Sequence, residues 1–159
     1  MIPFDYDLFF TCSLIEYIGR LTKNERHVVV NQLGFEGIDY IYEYADVLHC
    51  ENIDAVSDEI ITHYNVVNGD YDNIKECENV GYLVPTFWDI GKVYTYLFGI
   101  IFREDNIVTR KDKVEFIIEF YNTRTSYLIN DYTASVYFIQ PELLYNMYKE
   151  VEELDRQTE

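Results

Sequence analysis

The segment YLVPTFWDIGKVYTYLFGIIF, Tyr82 to Phe102, constrains the fold of this chain more than any other stretch. It has the length of a membrane span, since about 20 residues cross a hydrocarbon core. However, Asp89 and Lys92 lie inside it, and each would cost about 2.5 to 3.5 kcal/mol at the middle of a bilayer. Thr86 is a suitable N-cap, and the apolar residues after it recur at helical spacing. The segment therefore predicts a buried core helix, Thr86 to Phe102, rather than a span.

Helical periodicity recurs along most of the remaining chain. The further predicted helices are residues 5–21, 24–34, 36–50, 52–64, 109–129 and 141–152. Asn24 is the expected cap of the second helix and Gly34 its stop, while Pro141 suits the first turn of the last helix. Two runs with strand character, HVVVNQL and SVYFI, have no hairpin partner at turn spacing.

Turn residues without a sustained period fill residues 65–83, which predict an acidic loop with one short helix at about 74–76. The tail, residues 153–159, is expected to fray. We therefore predict a single compact all-α domain, residues 1–159, with six or seven helices around the hydrophobic central helix.

Aromatic residues are abundant, with 16 Tyr and 10 Phe, and tyrosines are expected at the core edge or on a binding surface. The three cysteines, Cys12, Cys50 and Cys77, are an odd number without CxxC spacing, so we predict neither a disulfide framework nor a zinc knuckle. The first ten residues lack the basic region and cleavage site of a secretory signal. We expect a cytoplasmic protein with reduced thiols.

The formal net charge is −17, and it is unevenly distributed. Residues 31–80 contain 12 acids and a single base, Lys75, whereas residues 81–125 contain six of each. Direct binding of nucleic acid requires a basic surface, and an anionic membrane repels acidic proteins, so neither partner is expected. The charge favours a basic protein or a cation as the partner.

No motif for catalysis or metal binding is found. His49, Cys50 and His63 are capable of binding a metal, but the adjacent His49 and Cys50 point about 100° apart on a helix, and no third ligand stands at zinc spacing. Asp54 and Asp58 could share a divalent cation, but no calcium-loop pattern surrounds them. We predict no catalytic residue, no metal and no cofactor.

The acidic segment is the feature that suggests a function. Its expected binding face consists of Asp39, Tyr40, Glu43, Tyr44, Asp46, Glu51, Asp54, Asp58 and Glu59. Repulsion between stacked carboxylates costs stability, and a net charge of about 2 to 8 would suffice for solubility. The excess favours an interaction face, with a merely solvated surface as the alternative. Because these side chains are expected to point outward, charge reversal at four of them should leave folding intact. Those four are Asp39, Glu43, Asp54 and Asp58.

Three segments resemble a set of small, uncharacterised acidic bacterial proteins. They are DLFFTCSLIEYIGRLTKN (residues 7–24), YADVLHCENIDAVSDE (44–59) and VGYLVPTFWDIGKVYTYL (80–97), together about a third of the chain. Members of that set are encoded beside proteins similar to ADP-ribosyltransferases. The resemblance implies a bacterial, intracellular protein that accompanies a toxin, and it assigns no catalytic residue to this chain.

The leading hypothesis is a non-enzymatic protein that binds and neutralises a basic protein. It could act like an antitoxin or an anti-defence inhibitor, including by mimicking nucleic-acid charge. One alternative is a small enzyme or metal-binding protein with a site among the acids and His49 or His63. Another is a structural subunit of a complex. The sequence names no partner and no oligomeric state.

Overall fold

The computed structural model describes residues 2–158, and every regular element within them is a helix. The α-helices are α1 Tyr6–Thr22, α2 Arg26–Glu43, α3 Ala45–Leu48, α4 Ile53–His63, α5 Asn73–Asn79, α6 Phe87–Glu104, α7 Arg110–Tyr121, α8 Arg124–Asn130 and α9 Pro141–Gln157. Two 3-10 helices, Tyr132–Ala134 and Val136–Phe138, connect α8 to α9. The all-α prediction is confirmed, with nine α-helices in the described residues instead of six or seven.

The additional helices arise where a predicted element is divided. The segment predicted as one helix over 109–129 forms α7 and α8, because Thr123 adopts an extended conformation and caps α8. The predicted acidic loop, residues 65–83, contains α5, which includes the short helix expected at about 74–76, extends beyond it at both ends and is capped by Asp72. Cys77 of α5 is fully buried, so this acidic segment is attached to the core.

The helices predicted over 24–34 and 36–50 are largely joined in α2, which is kinked at Gly34. Gly34 has a φ of 65°, in the left-handed region where glycine has no steric penalty. Asn24 does not cap this helix, so that prediction is wrong. Its amide group instead donates to the Thr22 hydroxyl at 2.9 Å and to the Val67 carbonyl at 2.7 Å.

The start of α6 follows the sequence prediction closely. Thr86 accepts a hydrogen bond from the Asp89 backbone N–H at 3.0 Å, and the Asp89 carboxylate accepts one from the Thr86 N–H at 2.9 Å. These two bonds form a capping box, which satisfies two otherwise unpaired donors. Trp88 and Tyr96 are exposed on the outer face of α6. Within residues 2–158, no helix has the length and apolar character needed to cross a membrane.

The helices α1 and α6 pack closely against each other. Gly91 of α6 lies against Ser13 of α1, and a Cβ at this glycine would overlap the serine side chain. The absence of a side chain therefore allows the two helices to approach closely. On its other sides α1 packs against α2, α3 and α4, while α6 also packs against α9. The tail expected to fray from residue 153 is helical as far as Gln157.

A buried ion-pair network connects α1 to three later parts of the chain. Arg26 is fully buried and donates to both carboxylate oxygens of Glu16 at 2.9 Å. Arg20 donates to the same carboxylate at 2.9 Å and to the Pro85 carbonyl at 2.7 Å. The Tyr132 hydroxyl also donates to Glu16. This carboxylate is therefore satisfied by two cations and a hydroxyl, and its pKa lies below the usual value because of the two arginines, despite burial.

Candidate functional site

An open groove of about 840 Å³ lies between the C-terminal half of α2 and α4, with the end of α3 at its base. We call it the acidic groove. Leu48, Val56 and Ile60 are buried and form its apolar floor. The Tyr64 ring closes one end, beside Gly37 of α2. The site thus combines an apolar base with charged walls.

The first wall is formed by α2. Glu36, Asp39 and Glu43 lie three and four residues apart, a spacing that places them on one face of a helix. Arg110, the first residue of α7, reaches this wall and donates to Asp39 at 2.8 Å. A second guanidinium nitrogen lies 3.7 Å from Glu43. The wall therefore already holds one guanidinium group, and this contact raises the pKa of Arg110.

The second wall is formed by α4, which begins after Asn52. The Asn52 side chain accepts hydrogen bonds from the backbone N–H groups of Asp54 and Ala55, at 2.8 and 3.4 Å. With the helix beginning at Ile53, Val56 and Ile60 lie on its buried face. Consequently Asp58 and Glu59 are exposed along the groove, and within residues 2–158 neither has an ion-pair partner or a side-chain hydrogen bond.

Aromatic residues and one histidine complete the lining. The Tyr40 ring packs on Tyr44, with centroids 5.1 Å apart. His63 packs edge-on against Tyr64 at 4.6 Å. Burial, together with the negative charge of Glu36, raises the pKa of Tyr64. Tyr64 therefore stays protonated at neutral pH and can donate a hydrogen bond to a bound group.

The structure brings together five of the nine residues that the sequence assigned to a binding face. These five are Asp39, Tyr40, Glu43, Asp58 and Glu59. Tyr44 borders them through its contact with Tyr40. The other three lie outside the groove lining, so the predicted face is divided into separate parts.

Asp46, Glu51 and Asp54 are the three residues outside the groove. Asp54 accepts a hydrogen bond from the Tyr17 hydroxyl of α1, which raises the pKa of Tyr17 to about 12. Asp46 lies near Asp7 of α1, whose pKa is raised by burial and by the nearby negative charges. Glu51 is exposed in the turn between α3 and α4.

The expectation that four acids point freely outward is correct only in part. Asp39 is paired with Arg110 at 2.8 Å, and Asp54 is bonded to Tyr17. Reversing the charge of either residue would break an existing contact. Glu36, Asp58 and Glu59 are the carboxylates of the groove that can be reversed without such a loss.

The residues considered for other chemistry do not assemble into one site. His63 lines the groove, whereas His49 lies beyond the end of α3. The Cys50 Sγ is 3.4 Å from His49 Nδ1 on the surface. Cys12 is buried in the core, and burial raises the pKa of its thiol. Among residues 2–158, no group of three or more histidine, cysteine or acidic side chains is placed to hold a metal ion.

Two charged residues at the first wall, Glu36 and Arg110, were absent from the predicted binding face. Glu36 stands three residues before Asp39, so the helical spacing of the acids could have identified it. Arg110 is 71 residues from Asp39 along the chain, and no local pattern connects them. Comparisons with protein-family models, with curated proteins and with solved structures each find no match.

Proposed function

We propose that this protein is a non-enzymatic binding protein whose acidic groove receives a basic segment of a partner protein and thereby neutralises that partner. The single observation that carries this proposal is an apolar floor between two acidic walls, one of which already binds a guanidinium group. A partner segment with both arginine or lysine and aliphatic side chains would match both parts of the groove. Recognition of an amphipathic helix in a groove uses the same combination.

Charge favours this class of partner over the alternatives. The unpaired carboxylates of α4 attract cations, and the acidic surface around them accelerates encounter with a basic protein. The apolar floor, with the exposed Tyr40 ring and the half-buried Tyr64 ring beside it, then contacts the aliphatic side chains of the partner, and burial of this apolar surface favours association. Attraction and burial therefore act on different side chains of one segment.

A synthetic peptide tests the groove without knowledge of the natural partner. The probe is an amphipathic helix with arginines on one face and leucines on the other, and the reference peptide replaces each leucine by serine. We expect the first peptide to bind more tightly in calorimetry, and its affinity to fall as salt is added, because screening acts over about 8 to 10 Å at physiological ionic strength. Equal binding of the two peptides would show that the floor is not used.

Charge reversal locates the binding site. The groove variant combines Glu36→Lys, Asp58→Lys and Glu59→Lys, and the control variant combines Asp70→Lys, Glu78→Lys and Glu150→Lys. Both remove three exposed acids and change the net charge equally. We expect the groove variant to bind the arginine–leucine peptide at least about tenfold more weakly than the wild type, equivalent to about 1.4 kcal/mol. The control variant should lose much less affinity for the same peptide. Similar losses in both variants would contradict the proposal.

The natural partner is found by the same pair of variants. Affinity purification from the native host, followed by mass spectrometry, should recover a basic protein with the wild type and the control but not with the groove variant. The resemblance of three segments to proteins encoded beside toxins makes a toxin the expected partner. Competition with DNA then separates two forms of neutralisation, because DNA should displace a mimic of nucleic-acid charge and need not displace an antidote that covers an active site.

A further inference from the structure

Seven aromatic rings form a continuous band along the seam between α1 and α6, outside the lining of the acidic groove. We call it the aromatic band, and its members are Phe4, Tyr6, Phe9, Tyr17, Phe87, Trp88 and Tyr96. Each ring touches the next, from Phe87 and Trp88 with centroids 4.6 Å apart to Phe9 and Trp88 at 5.4 Å. The rings thus form a single surface feature.

Several of these rings are in contact with solvent. Tyr6 is 73% exposed, Tyr96 49% and Trp88 39%. Contiguous exposed apolar surface on a folded protein usually marks an interaction site, and tyrosine and tryptophan are enriched among the residues that dominate interface energies. The band therefore has the composition of an interface that is uncovered in the single chain.

The charge around the band differs from that of the rest of the molecule. The helix α1 contains two acids and one base, and α6 contains two of each, so the two elements that carry most of the band are nearly neutral. On the outer face of α6, the exposed Asp89 and Lys92 flank Trp88 with opposite charges. The Asp7 carboxylate lies close enough to Asp46 and His49 for their charges to affect its pKa. Asp7 is therefore on the side of α1 that faces α3.

We propose that the aromatic band is a self-association surface on which a second copy of this chain packs. A two-fold interface brings the same patch of each copy together, so it must be complementary to itself. Here the rings supply the apolar centre, and the Asp89 and Lys92 of one copy oppose the Lys92 and Asp89 of the other. Of the acidic helices α2 to α4, α4 reaches the band at Tyr17 through Asp54, so we place the contact centre at the other rings, where two copies with a net charge of −17 meet with less repulsion.

Other partners fit the band less well. Single-stranded nucleic acid stacks on exposed rings, but it also requires a groove of positive charge. The cations on this face of α6 are Lys92 and Arg103, and Arg103 is already paired with Glu104. A basic protein would find its complementary charge in the acidic groove. A second copy of the chain matches the balanced charge of the band. The Tyr17 end of the band lies next to Asp54, whose negative charge would repel the acidic second copy, so this end is outside the contact centre.

Trp88 provides a direct measurement, because it is the single tryptophan of the chain. Sedimentation equilibrium of the wild-type protein from micromolar to millimolar concentration should show a monomer–dimer equilibrium. Trp88 emission should shift to shorter wavelength as the dimer forms and the indole leaves water. Added salt should increase the dimerisation constant by screening the repulsion between two acidic chains. It should decrease the affinity of the acidic groove for a basic peptide. The two proposals can therefore fail separately.

Two matched variants make the test specific. Tyr6→Lys with Tyr96→Lys changes the band and retains Trp88, whereas Tyr127→Lys with Phe138→Lys changes exposed rings elsewhere by the same charge. Circular dichroism and thermal unfolding establish that both variants are folded. We expect the band variant to weaken dimerisation by at least tenfold and the control to preserve it. A wild type that stays monomeric throughout, or equal weakening in both variants, overturns the proposal.

Discussion

Glu16 is a buried carboxylate whose charge is matched by Arg26 and Arg20. Its two oxygens accept hydrogen bonds at 2.9 Å from both arginines, and the Tyr132 hydroxyl donates to it as well. A buried ion pair of this kind adds little net stability compared with a well-packed apolar core. Removal of one member of the pair is strongly destabilising, because the remaining charge stays buried without an opposite charge.

Glu16→Gln should therefore lower the free energy of unfolding by about 3 to 5 kcal/mol at neutral pH. The substitution keeps the size of the side chain but leaves Arg26, which is fully buried, without its counter-ion. Urea denaturation followed by circular dichroism measures the change. Glu115→Gln on the exposed face of α7 is the control and should alter stability by less than about 0.5 kcal/mol. Equal effects of the two substitutions would show that the network is dispensable.

The same carboxylate predicts a dependence on pH. Its pKa in the folded state is lowered by Arg26 and Arg20, so its contribution to stability is fully present above the pKa of an unfolded glutamate and is lost as pH falls through the lower folded-state pKa. The difference in unfolding free energy between wild type and Glu16→Gln should therefore shrink in acid. A difference that stays constant from neutral pH to strong acid would contradict this assignment.

Between elements, the closest approach of α1 and α6 depends on Gly91. Alanine favours helix over glycine by about 1 kcal/mol, so a glycine inside α6 needs a reason in packing. We expect Gly91→Ala to destabilise the protein by about 1 to 3 kcal/mol, since its Cβ would overlap Ser13. Gly99→Ala, in the same helix with only Ile2 nearby at 3.3 Å, should be neutral or stabilising in thermal unfolding. Stabilisation by both would show that the two helices can separate at little cost.

Arg110 connects α7 to the acidic groove and competes with any incoming cation. Arg110→Gln should release Asp39 and Glu43 and increase affinity for the arginine–leucine peptide by a factor of about two to five. Lys111→Gln changes the net charge equally, but Lys111 pairs with Glu115 within α7, so its effect should be smaller. Calorimetry at low salt compares the two variants. Identical affinities would mean that Arg110 only joins α7 to α2.

The elements that were predicted best from the sequence are those whose ends are fixed by contacts between residues close together in the chain. Thr86 and Asp89 form the cap of α6 within three residues, and Pro141 begins α9 as expected. The acids of α2 and α4 could likewise be assigned by spacing. The ion pair of Arg110 with Asp39 and the bond of Tyr17 to Asp54 could not be predicted, because they depend on which helices become neighbours.

For the whole molecule, the net charge of −17 opposes the compact state through repulsion. We expect added potassium chloride to raise the free energy of unfolding, because the screening length falls from about 10 Å at 0.1 M to about 3 Å at 1 M. The increment should be smaller in the triple lysine variants, whose repulsion is already reduced. Stability that falls with salt would show that attractive pairs outweigh repulsion. Urea denaturation at several salt concentrations gives the answer.

The Glu16 network also bears on how the chain matures during synthesis. Glu16 and Arg26 are ten residues apart and can meet early, but Tyr132 is 116 residues from Glu16 along the chain. In the same region, the Asn73 side chain donates a hydrogen bond to the backbone carbonyl of Asn130, which is 57 residues further along the chain. In a nascent chain, the buried charges of the Glu16 network therefore lack the Tyr132 hydroxyl until residue 132 has left the ribosome. We therefore expect that the N-terminal helices do not fold stably ahead of that point, and that the protein becomes native only after most of it has been made.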